Sequence, residues 1–376
     1  MPKIEIKFGA ISTDDHVQET PHTWTDRMSA GTWGNRVPHI VELEDGTETW
    51  LMNGEPFGGL AVVASLMPDR RTSPKRWEQV PAAAYVPAER LKAMDADHTD
   101  VHTFFPNMAG IARGAFIHRG EPAWRLACTK AYNDWLIEEW ASVSPRFVPL
   151  AIMPMWDAEA AASEVRRAAA LGHRGAIWHG ATEALDLPHF NESFWDPFWE
   201  ACQETGLPVC LHVDRAPFRP WDKFAPAVWK AIEDSNSITA NVRVLTNLLF
   251  SGVFERFPGI KMITVESGLG WIPYLLETLD YEYTVMECWK DGMSRKPSDY
   301  FRTNVYANFW YEHVGIEMRR HIGVDNIIWE TDFPHTTSTY PKSKEMRESA
   351  LAGVPEDERN KILVDNAVKL FKLDLA

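Results

Sequence analysis

The sequence has little cysteine, no long apolar run and no excess of positive charge, and each shortage argues against a class of protein. Its four cysteines occur without C-x-x-C spacing, which argues against a disulfide framework and favours reduced, buried thiols in a cytoplasmic protein. No stretch of about 18 uncharged apolar residues occurs, so we expect no transmembrane helix. The N-terminus lacks a long apolar core and a small-residue cleavage site, so we expect no signal peptide.

The charge balance is strongly acidic. The 53 Asp and Glu residues outnumber the 38 Lys and Arg residues, and the net charge is −15 at pH 7. An acidic surface repels phosphate groups, so neither nucleic acid nor an anionic membrane is an expected partner. We therefore expect a small-molecule substrate.

Aromatic residues, in contrast, are abundant, and 17 of them are tryptophans. Such a density is typical of a large core, a subunit interface or an aromatic-lined pocket, and composition does not separate the three. Trp50 and Trp178 are candidate walls of such a pocket. We also expect a homodimer.

From residue 85 onward, helical patterns alternate with short β-rich apolar segments. Together with the opening segment that contains Asp14 and His16, eight strands are predicted. The other seven lie at residues 101–105, 146–153, 174–179, 208–212, 260–266, 304–310 and 326–332. Alternation of this kind predicts a parallel sheet, and eight units predict a closed (β/α)₈ TIM barrel that spans residues 1–376 as one domain.

The interval between the first two strands is too long for one crossover helix. Within it, VELEDGTETWLM places Asp45-Gly46 between alternating residues, which indicates a β-hairpin with a two-residue turn. We therefore predict that residues 20–85 form an insertion near the C-terminal mouth of the barrel.

Polar side chains occur where the predicted strands end, which is where barrel enzymes carry their chemistry. Asp14 and His16 are two residues apart on the first strand and so project to the same face. The polar residues at or just beyond the other strand ends are Asn107, His179, His212, Glu266, Asn308 and Asp332. Oxygen and nitrogen ligands that converge on one face suit a divalent ion such as zinc or manganese.

Each of these residues also has an ordinary structural explanation. A single histidine at a strand end is more often hydrogen-bonded within the fold than bound to a metal. Asp14 could be a loop carboxylate, and Asp332 could cap the turn that follows it. Glu266 is harder to explain in this way, because it follows a strongly apolar strand and burial of an unpaired carboxylate is costly. Taken together, the residues favour a metal site.

Six segments carry a resemblance to a known family. They are TDDHVQE, RLKAMDADHTDVHTFFPN, PRFVPLAIMPMWDAEAAASEVRRAAALGHRG, GLPVCLHVD, FERFPGIKMITVESGLGWIPYLLETLD and IIWETDFPH. In this order they resemble the amidohydrolase superfamily, in the branch of aminocarboxymuconate-semialdehyde decarboxylase and the dihydroxybenzoate decarboxylases. The resemblance implies one divalent metal, with zinc first and manganese or iron as alternatives. The ligands that it implies are Asp14, His16, His212 and Asp332.

The sequence departs from that branch at the end of the sixth strand. The branch usually has a histidine there, whereas this chain has Glu266. The departure favours hydrolysis, in which a metal-activated water attacks a small cyclic or aromatic carbonyl compound and Asp332 acts as both base and acid. Glu266 is then a second base, a metal ligand or an orienting group next to the metal.

The alternative that the resemblance supports is metal-dependent, non-oxidative decarboxylation of an aromatic or unsaturated acid. Candidate substrate-binding residues are His179, Asn107 and Arg215. A third interpretation, a barrel that binds without catalysis, would be indicated by lost ligands, and all four matching positions are filled.

Overall fold

The computed structural model of the chain describes residues 3–109, 119–213 and 223–376. Its strands in chain order are β1 (Ile11–Val17), β2 (His39–Glu42), β3 (Glu48–Met52), β4 (Glu55–Pro56), β5 (Val101–Pro106), β6 (Phe147–Ile152), β7 (Gly175–Trp178), β8 (Val209–His212), β9 (Met262–Val265), β10 (Val305–Phe309) and β11 (Ile327–Trp329). Strands β1 and β5 to β11 are parallel neighbours in chain order, and β11 pairs with β1 to close the barrel. The predicted (β/α)₈ barrel is confirmed.

Most helices follow the barrel strands and pack around them, whereas α1 lies in the insertion. They are α1 (Ala30–Trp33), α2 (Pro87–Ala96), α3 (Pro122–Leu136), α4 (Ala158–Leu171), α5 (Asp196–Thr205), α6 (Pro226–Phe250), α7 (Val253–Arg256), α8 (Ile272–Val285), α9 (Pro297–Asn304), α10 (His313–Glu317), α11 (Arg319–Ile322), α12 (Ser343–Ala350), α13 (Glu356–Asn360) and α14 (Asn366–Phe371). Among the described residues, every helix is too short or too polar to cross a lipid bilayer.

Local sequence signals explain the helix ends. The side chain of Asp157 accepts the N–H of Ala160 at 3.0 Å and begins α4, and Gly172 ends that helix with a φ of 106°. Prolines occupy the first turn of α2, α3, α5, α6, α8 and α9, where no N–H is needed.

The insertion between β1 and β5 contains a three-stranded sheet of β2, β3 and β4. The hairpin is present, but its predicted two-residue turn is wrong. Residues 43–47 connect Glu42 to Glu48, and the carboxylate of Asp45 accepts the N–H of Thr47 at 3.0 Å. A polar side chain that bonds its own loop stabilises this longer turn.

The insertion lies over the C-terminal mouth of the barrel, as predicted. Ser65 donates its N–H to the Pro334 carbonyl at 3.0 Å, and Asn107 donates its amide to the Val62 carbonyl at 3.2 Å. These two bonds tie the insertion to the segments that follow β11 and β5.

Trp50 and Trp178 do not line a pocket, which corrects the prediction for both. Trp178 is 1% exposed, stacks on Phe198 at 4.1 Å and packs against α5. Trp50 is completely buried, and its indole N–H donates to the Leu60 carbonyl at 2.9 Å. Both side chains belong to the hydrophobic core.

Candidate metal centre and active site

Strand β1 carries two side chains into the mouth of the barrel. Asp14 and His16 face each other, with 3.4 Å between Oδ1 and Nε2, as the two-residue spacing predicts. Asp15 lies on the opposite face of the strand, where it accepts the N–H of Thr103 and the hydroxyl of Thr331. All three residues are buried, so the orientation of β1 determines which carboxylate reaches the site.

The two histidines of the site are oriented by backbone carbonyls. His16 Nδ1 lies 3.3 Å from the carbonyl oxygen of Pro106, and His212 Nδ1 lies 2.8 Å from that of Val213. A carbonyl only accepts, so each Nδ1 carries the proton, and each Nε2 offers a lone pair. The two Nε2 atoms are 3.2 Å apart and face Asp14, which is the arrangement of metal-ligating histidines.

Asp332 follows β11 with a φ of 54°, a conformation that non-glycine residues rarely adopt. Its Oδ1 lies 3.5 Å from His16 Nε2 and 2.9 Å from His335 Nδ1, and Thr337 donates its hydroxyl to Oδ2. The other ring nitrogen of His335 lies 2.9 Å from the Asn107 side-chain oxygen. Asp332 is thus held by groups from its own loop, and that loop is tied to β5.

Glu266 follows β9 and also has a positive φ, of 56°. Its carboxylate lies 3.5 Å from His212 Nε2 and accepts the hydroxyl of Thr337 at 3.4 Å. Its backbone N–H donates to Glu330 at 3.3 Å, and Glu330 also accepts the side-chain amide of Asn308. Glu266 therefore reaches the same centre as the histidines, with a second buried carboxylate behind it.

Burial and mutual repulsion raise the pKa values of these carboxyl groups. For Asp14, burial is the main cause, and the charges of Glu330, Asp332 and Glu266 add to it. Burial likewise raises the pKa of Asp332, Glu266 and Glu330. The pKa of His16 is lowered, because burial disfavours the imidazolium form. A bound cation would relieve all of these unfavourable charges at once.

The residues fit a divalent ion. Both oxygens of Asp14 are buried without a hydrogen-bond partner in the described part of the chain. Three sets of donors have ligand atoms within 4.8 Å of one another, and they are Asp14 with His16 and His212, His16 with Asp332 and His335, and Asp14 with Glu266 and Asp332. Mixed nitrogen and carboxylate donors suit zinc, manganese or iron.

The structure places the three candidate substrate-binding residues differently. Asn107 makes hydrogen bonds to Gln18, Val62 and His335, so its amide already supports the site from within the protein. His179 is buried at the end of β7, and its Nδ1 accepts the N–H of Ala181 at 3.1 Å. Arg215 lies outside the described residues. Direct contact of any of the three with substrate stays a prediction.

Sequence reasoning missed part of this site. Glu330 lies two residues before Asp332, a spacing that places both side chains toward one face of a strand. That signal was available and could have identified Glu330. The contact of His335 with Asn107 joins residues 228 positions apart, and local sequence carries no signal for it.

Comparison with known proteins identifies the family. The profile of the Amidohydrolase family matches residues 72–373, so the chain belongs to this family and is an enzyme of the amidohydrolase superfamily. It is 31% identical over 259 residues to gamma-resorcylate decarboxylase of Polaromonas sp. strain JS666, with 64% of this chain and 75% of the relative covered. It is 29% identical over 315 residues to that of Rhodococcus jostii strain RHA1, with 76% and 87% covered. The decarboxylase branch inferred from the sequence is confirmed.

Solved structures share the fold. An amidohydrolase from Mycobacterium avium subsp. paratuberculosis K-10 has a TM-score of 0.74 at 21% identity, with 99% of this chain and 100% of that one covered. Dihydroxybenzoic acid decarboxylase from Polaromonas sp. JS666, solved with bound manganese and the inhibitor 2-nitroresorcinol, has a TM-score of 0.63 at 22% identity, with 97% of each chain covered.

Proposed function

We propose that the protein is a metal-dependent, non-oxidative decarboxylase of a hydroxylated aromatic acid. The site combines Asp14, His16, His212 and Asp332 within a few ångströms, and the curated relatives at 29–31% identity are gamma-resorcylate decarboxylases. This conclusion reverses the order of the sequence-based hypotheses, which placed hydrolysis first. The observation that carries it is the combination of this donor set with relatives that are carboxy-lyases.

The four residues are proposed to hold one divalent ion, and manganese now precedes zinc. Manganese is the ion bound in the solved dihydroxybenzoic acid decarboxylase, and a carboxylate-rich site favours it. When bound, the ion would orient a carboxylate and a neighbouring hydroxyl of the substrate and withdraw electron density from them.

Asp332 is the proposed proton donor. As a general acid, its carboxyl group takes up a proton and delivers it to the bound substrate. That proton goes to the ring carbon that bears the carboxylate. The carbon–carbon bond then breaks, its electron pair returns to the ring, and carbon dioxide leaves. His335, at 2.9 Å from Asp332 Oδ1, keeps the donor oriented.

His179 and Arg215 remain the proposed contacts to the anionic part of the substrate. Since Nδ1 of His179 accepts the Ala181 N–H, its Nε2 carries the proton and acts as a donor. A donor of this kind would hold a phenolate or a carboxylate oxygen and fix the orientation of the ring.

The test is release of carbon dioxide from 2,6-dihydroxybenzoate and from 5-carboxyvanillate by the protein loaded with Mn²⁺. We expect turnover of at least one of these acids, and loss of that turnover in the His212→Ala, Asp332→Ala double variant. Absence of carbon dioxide release from a panel of hydroxybenzoates, by folded and metal-loaded protein, would contradict the proposal.

Hydrolysis is retained as a second candidate because of Glu266. The Glu266 carboxylate lies 3.5 Å from His212 Nε2 and could accept a proton from an attacking water. The decarboxylase branch usually has a histidine at this position. Cleavage of esters, lactones or amides that is lost in Glu266→Gln would favour this candidate. The homodimer and the cytoplasmic location also remain proposals, and light scattering of the purified protein tests the former.

A further inference from the structure

The loop that follows β11 carries two side chains that contact Asp332. His335 Nδ1 lies 2.9 Å from Asp332 Oδ1, and the hydroxyl of Thr337 donates to Oδ2 of the same carboxylate. Residues 334–340 contain neither helix nor strand. Since no helical or sheet ladder fixes this backbone, the positions of His335 and Thr337 depend on donors from elsewhere in the chain.

Arg70, in the insertion between β1 and β5, supplies such donors. One terminal nitrogen of its guanidinium donates to the carbonyl oxygens of Thr336 at 3.0 Å and Ser338 at 2.7 Å. The other terminal nitrogen donates to the carbonyl oxygen of Tyr340. A guanidinium presents its N–H groups in one plane and in fixed directions, so a single side chain holds three points of an irregular backbone, two of them on either side of Thr337.

The contact is specific to Arg70 and is supported by a second bond from the insertion. The N–H of Ser65 donates to the carbonyl oxygen of Pro334 at 3.0 Å, at the start of the same loop. Arg71, the next residue along the chain, is exposed and instead pairs with Asp69 at 3.1 Å. Of these two adjacent arginines, Arg70 therefore contacts the loop that carries the neighbours of the proposed proton donor.

We propose that Arg70 is a positioning residue for Asp332, because its guanidinium fixes the loop at residues 334–340 and so keeps His335 and Thr337 against the carboxylate. The inference rests on the proposed function, in which Asp332 is a metal ligand and the proton donor. A displacement of about 1 Å at a reacting group lowers turnover by about 100-fold, so movement of this loop would reduce activity although Arg70 bonds only its backbone. The insertion then contributes to catalysis as well as covering the barrel mouth.

The test compares Arg70→Ala with Arg71→Ala, the matched control at the exposed neighbouring position. Manganese binding is titrated by electron paramagnetic resonance. Release of carbon dioxide from 2,6-dihydroxybenzoate and 5-carboxyvanillate is followed at saturating Mn²⁺ on the same samples. For Arg70→Ala we expect manganese affinity and kcat each to fall by about 10- to 100-fold, with KM within about threefold of the parent value. Arg71→Ala should match the parent in all three quantities.

Two further variants separate positioning from a general loss of stability. Arg70→Lys keeps the charge but loses the fork of donors, so it should recover only part of the lost kcat. Thr337→Val removes the hydroxyl that contacts Asp332. Because Arg70 acts through the same loop, the loss in the Arg70→Ala, Thr337→Val double variant should be smaller than the product of the two single losses.

Chemical rescue gives an independent measurement. Methylguanidinium added to Arg70→Ala should raise both manganese affinity and turnover, whereas an equal concentration of ammonium should raise neither, because it lacks the planar fork of donors. If Arg70→Ala does not fold, Arg70→Gln, which fills part of the space with a single amide, is measured in its place with the same expected losses.

Manganese affinity and kcat in Arg70→Ala equal to those of Arg71→Ala would overturn the proposal. Full activity in Arg70→Lys, or losses that multiply completely in the double variant, would also overturn it. A folded, metal-loaded parent protein that releases no carbon dioxide would refute the proposed function, and the manganese affinities of the variants would still decide the role of Arg70.

Discussion

Asp332 depends on neighbours that orient it rather than on its position alone. His335 contacts it at 2.9 Å, and Asn107 holds the other nitrogen of that histidine. The rings of His335 and His16 also stack, with 3.6 Å between their centroids. The proposed proton donor and a proposed metal ligand therefore share one supporting side chain.

We expect His335→Gln to lower turnover and manganese affinity by about 10- to 100-fold, the usual effect of losing a residue that orients a ligand. Steady-state kinetics and manganese titration check this prediction. His313→Gln alters an exposed histidine and should change neither quantity. Unchanged metal affinity in His335→Gln would show that Asp332 keeps its orientation without the imidazole.

Glu19 is a buried carboxylate outside the metal centre, and it accepts the N–H groups of Met108 and Ala109 at 2.8 Å each. Burial raises its pKa from 4.5 to about 7, although these two hydrogen bonds oppose the shift. The folded protein therefore binds this proton more tightly than the unfolded chain does. Between pH 4.5 and about 7, the contribution of Glu19 to stability falls as the pH rises.

A Gln at this position does not titrate, so we expect Glu19→Gln to remove that part of the pH dependence. The pKa shift corresponds to about 3 kcal/mol in the free energy of unfolding. Urea unfolding at a series of pH values measures the difference between variant and parent, which should change in favour of Glu19→Gln as the pH rises. Glu44→Gln, at an exposed position, serves as the control. A pH-independent difference would contradict the raised pKa.

At the scale of elements, Arg90 joins α2, β1 and the end of the insertion. Its buried guanidinium donates to the His16 carbonyl at 2.7 Å and to the Ala83 carbonyl at 2.7 Å. It also lies over the ring of Phe333, which follows Asp332, with 4.3 Å to the ring centroid. One side chain thus links β1, which carries two of the proposed ligands, to the segment after β11, which carries another.

We expect Arg90→Met to destabilise the fold by about 3 kcal/mol, because it leaves buried acceptors and Asp15 without a cation nearby. Chemical denaturation measures this loss. Arg90→Lys keeps the charge but loses the fork of donors, so an intermediate loss is expected. Lys92→Met changes an exposed position on the same helix and should have little effect. If Arg90→Met and Lys92→Met are equally stable, Arg90 does not stabilise the fold as proposed.

The sequence predicts the strands and their polar ends well, because strand ends and helix caps are local signals. The face of a strand that a residue occupies is harder to predict from the sequence. In a parallel barrel both faces of each strand are buried, so polarity does not distinguish the inside from the outside. Trp178, a candidate pocket wall because tryptophan is abundant, instead packs against α5.

Contacts between distant segments are equally hidden. Asn107 directly follows β5 and is predicted to contact substrate, and that contact stays a prediction. The structure adds hydrogen bonds from its side-chain amide to Gln18 and His335. The residues near Asn107 in the chain do not indicate these two partners, because Gln18 and His335 lie 89 and 228 residues away.

At the scale of the whole molecule, the metal centre joins opposite parts of the barrel. Its proposed ligands come from β1, β8 and the segment after β11. An ion that binds only when these elements meet stabilises the folded state over the unfolded chain, by about 2.7 kcal/mol at a concentration 100 times its Kd.

We therefore expect chelation to lower the melting temperature, and added Mn²⁺ to restore it in a concentration-dependent way. Differential scanning calorimetry with and without EDTA measures the effect. The His212→Ala, Asp332→Ala double variant should melt at one temperature whatever the manganese concentration. If EDTA does not change the melting temperature of the parent protein, metal binding does not stabilise its folded state.

Glu266 and Asp332 both adopt positive φ angles at the mouth of the barrel, a conformation that costs most residues about 1 kcal/mol or more and glycine almost nothing. They also lie among mutually repelling carboxylates. Random libraries selected for heat resistance alone, in the presence of EDTA so that no metal stabilises the fold, should therefore accumulate glycine or asparagine at positions 266 and 332. The most heat-resistant variants from such a selection would be those that have lost enzymatic activity.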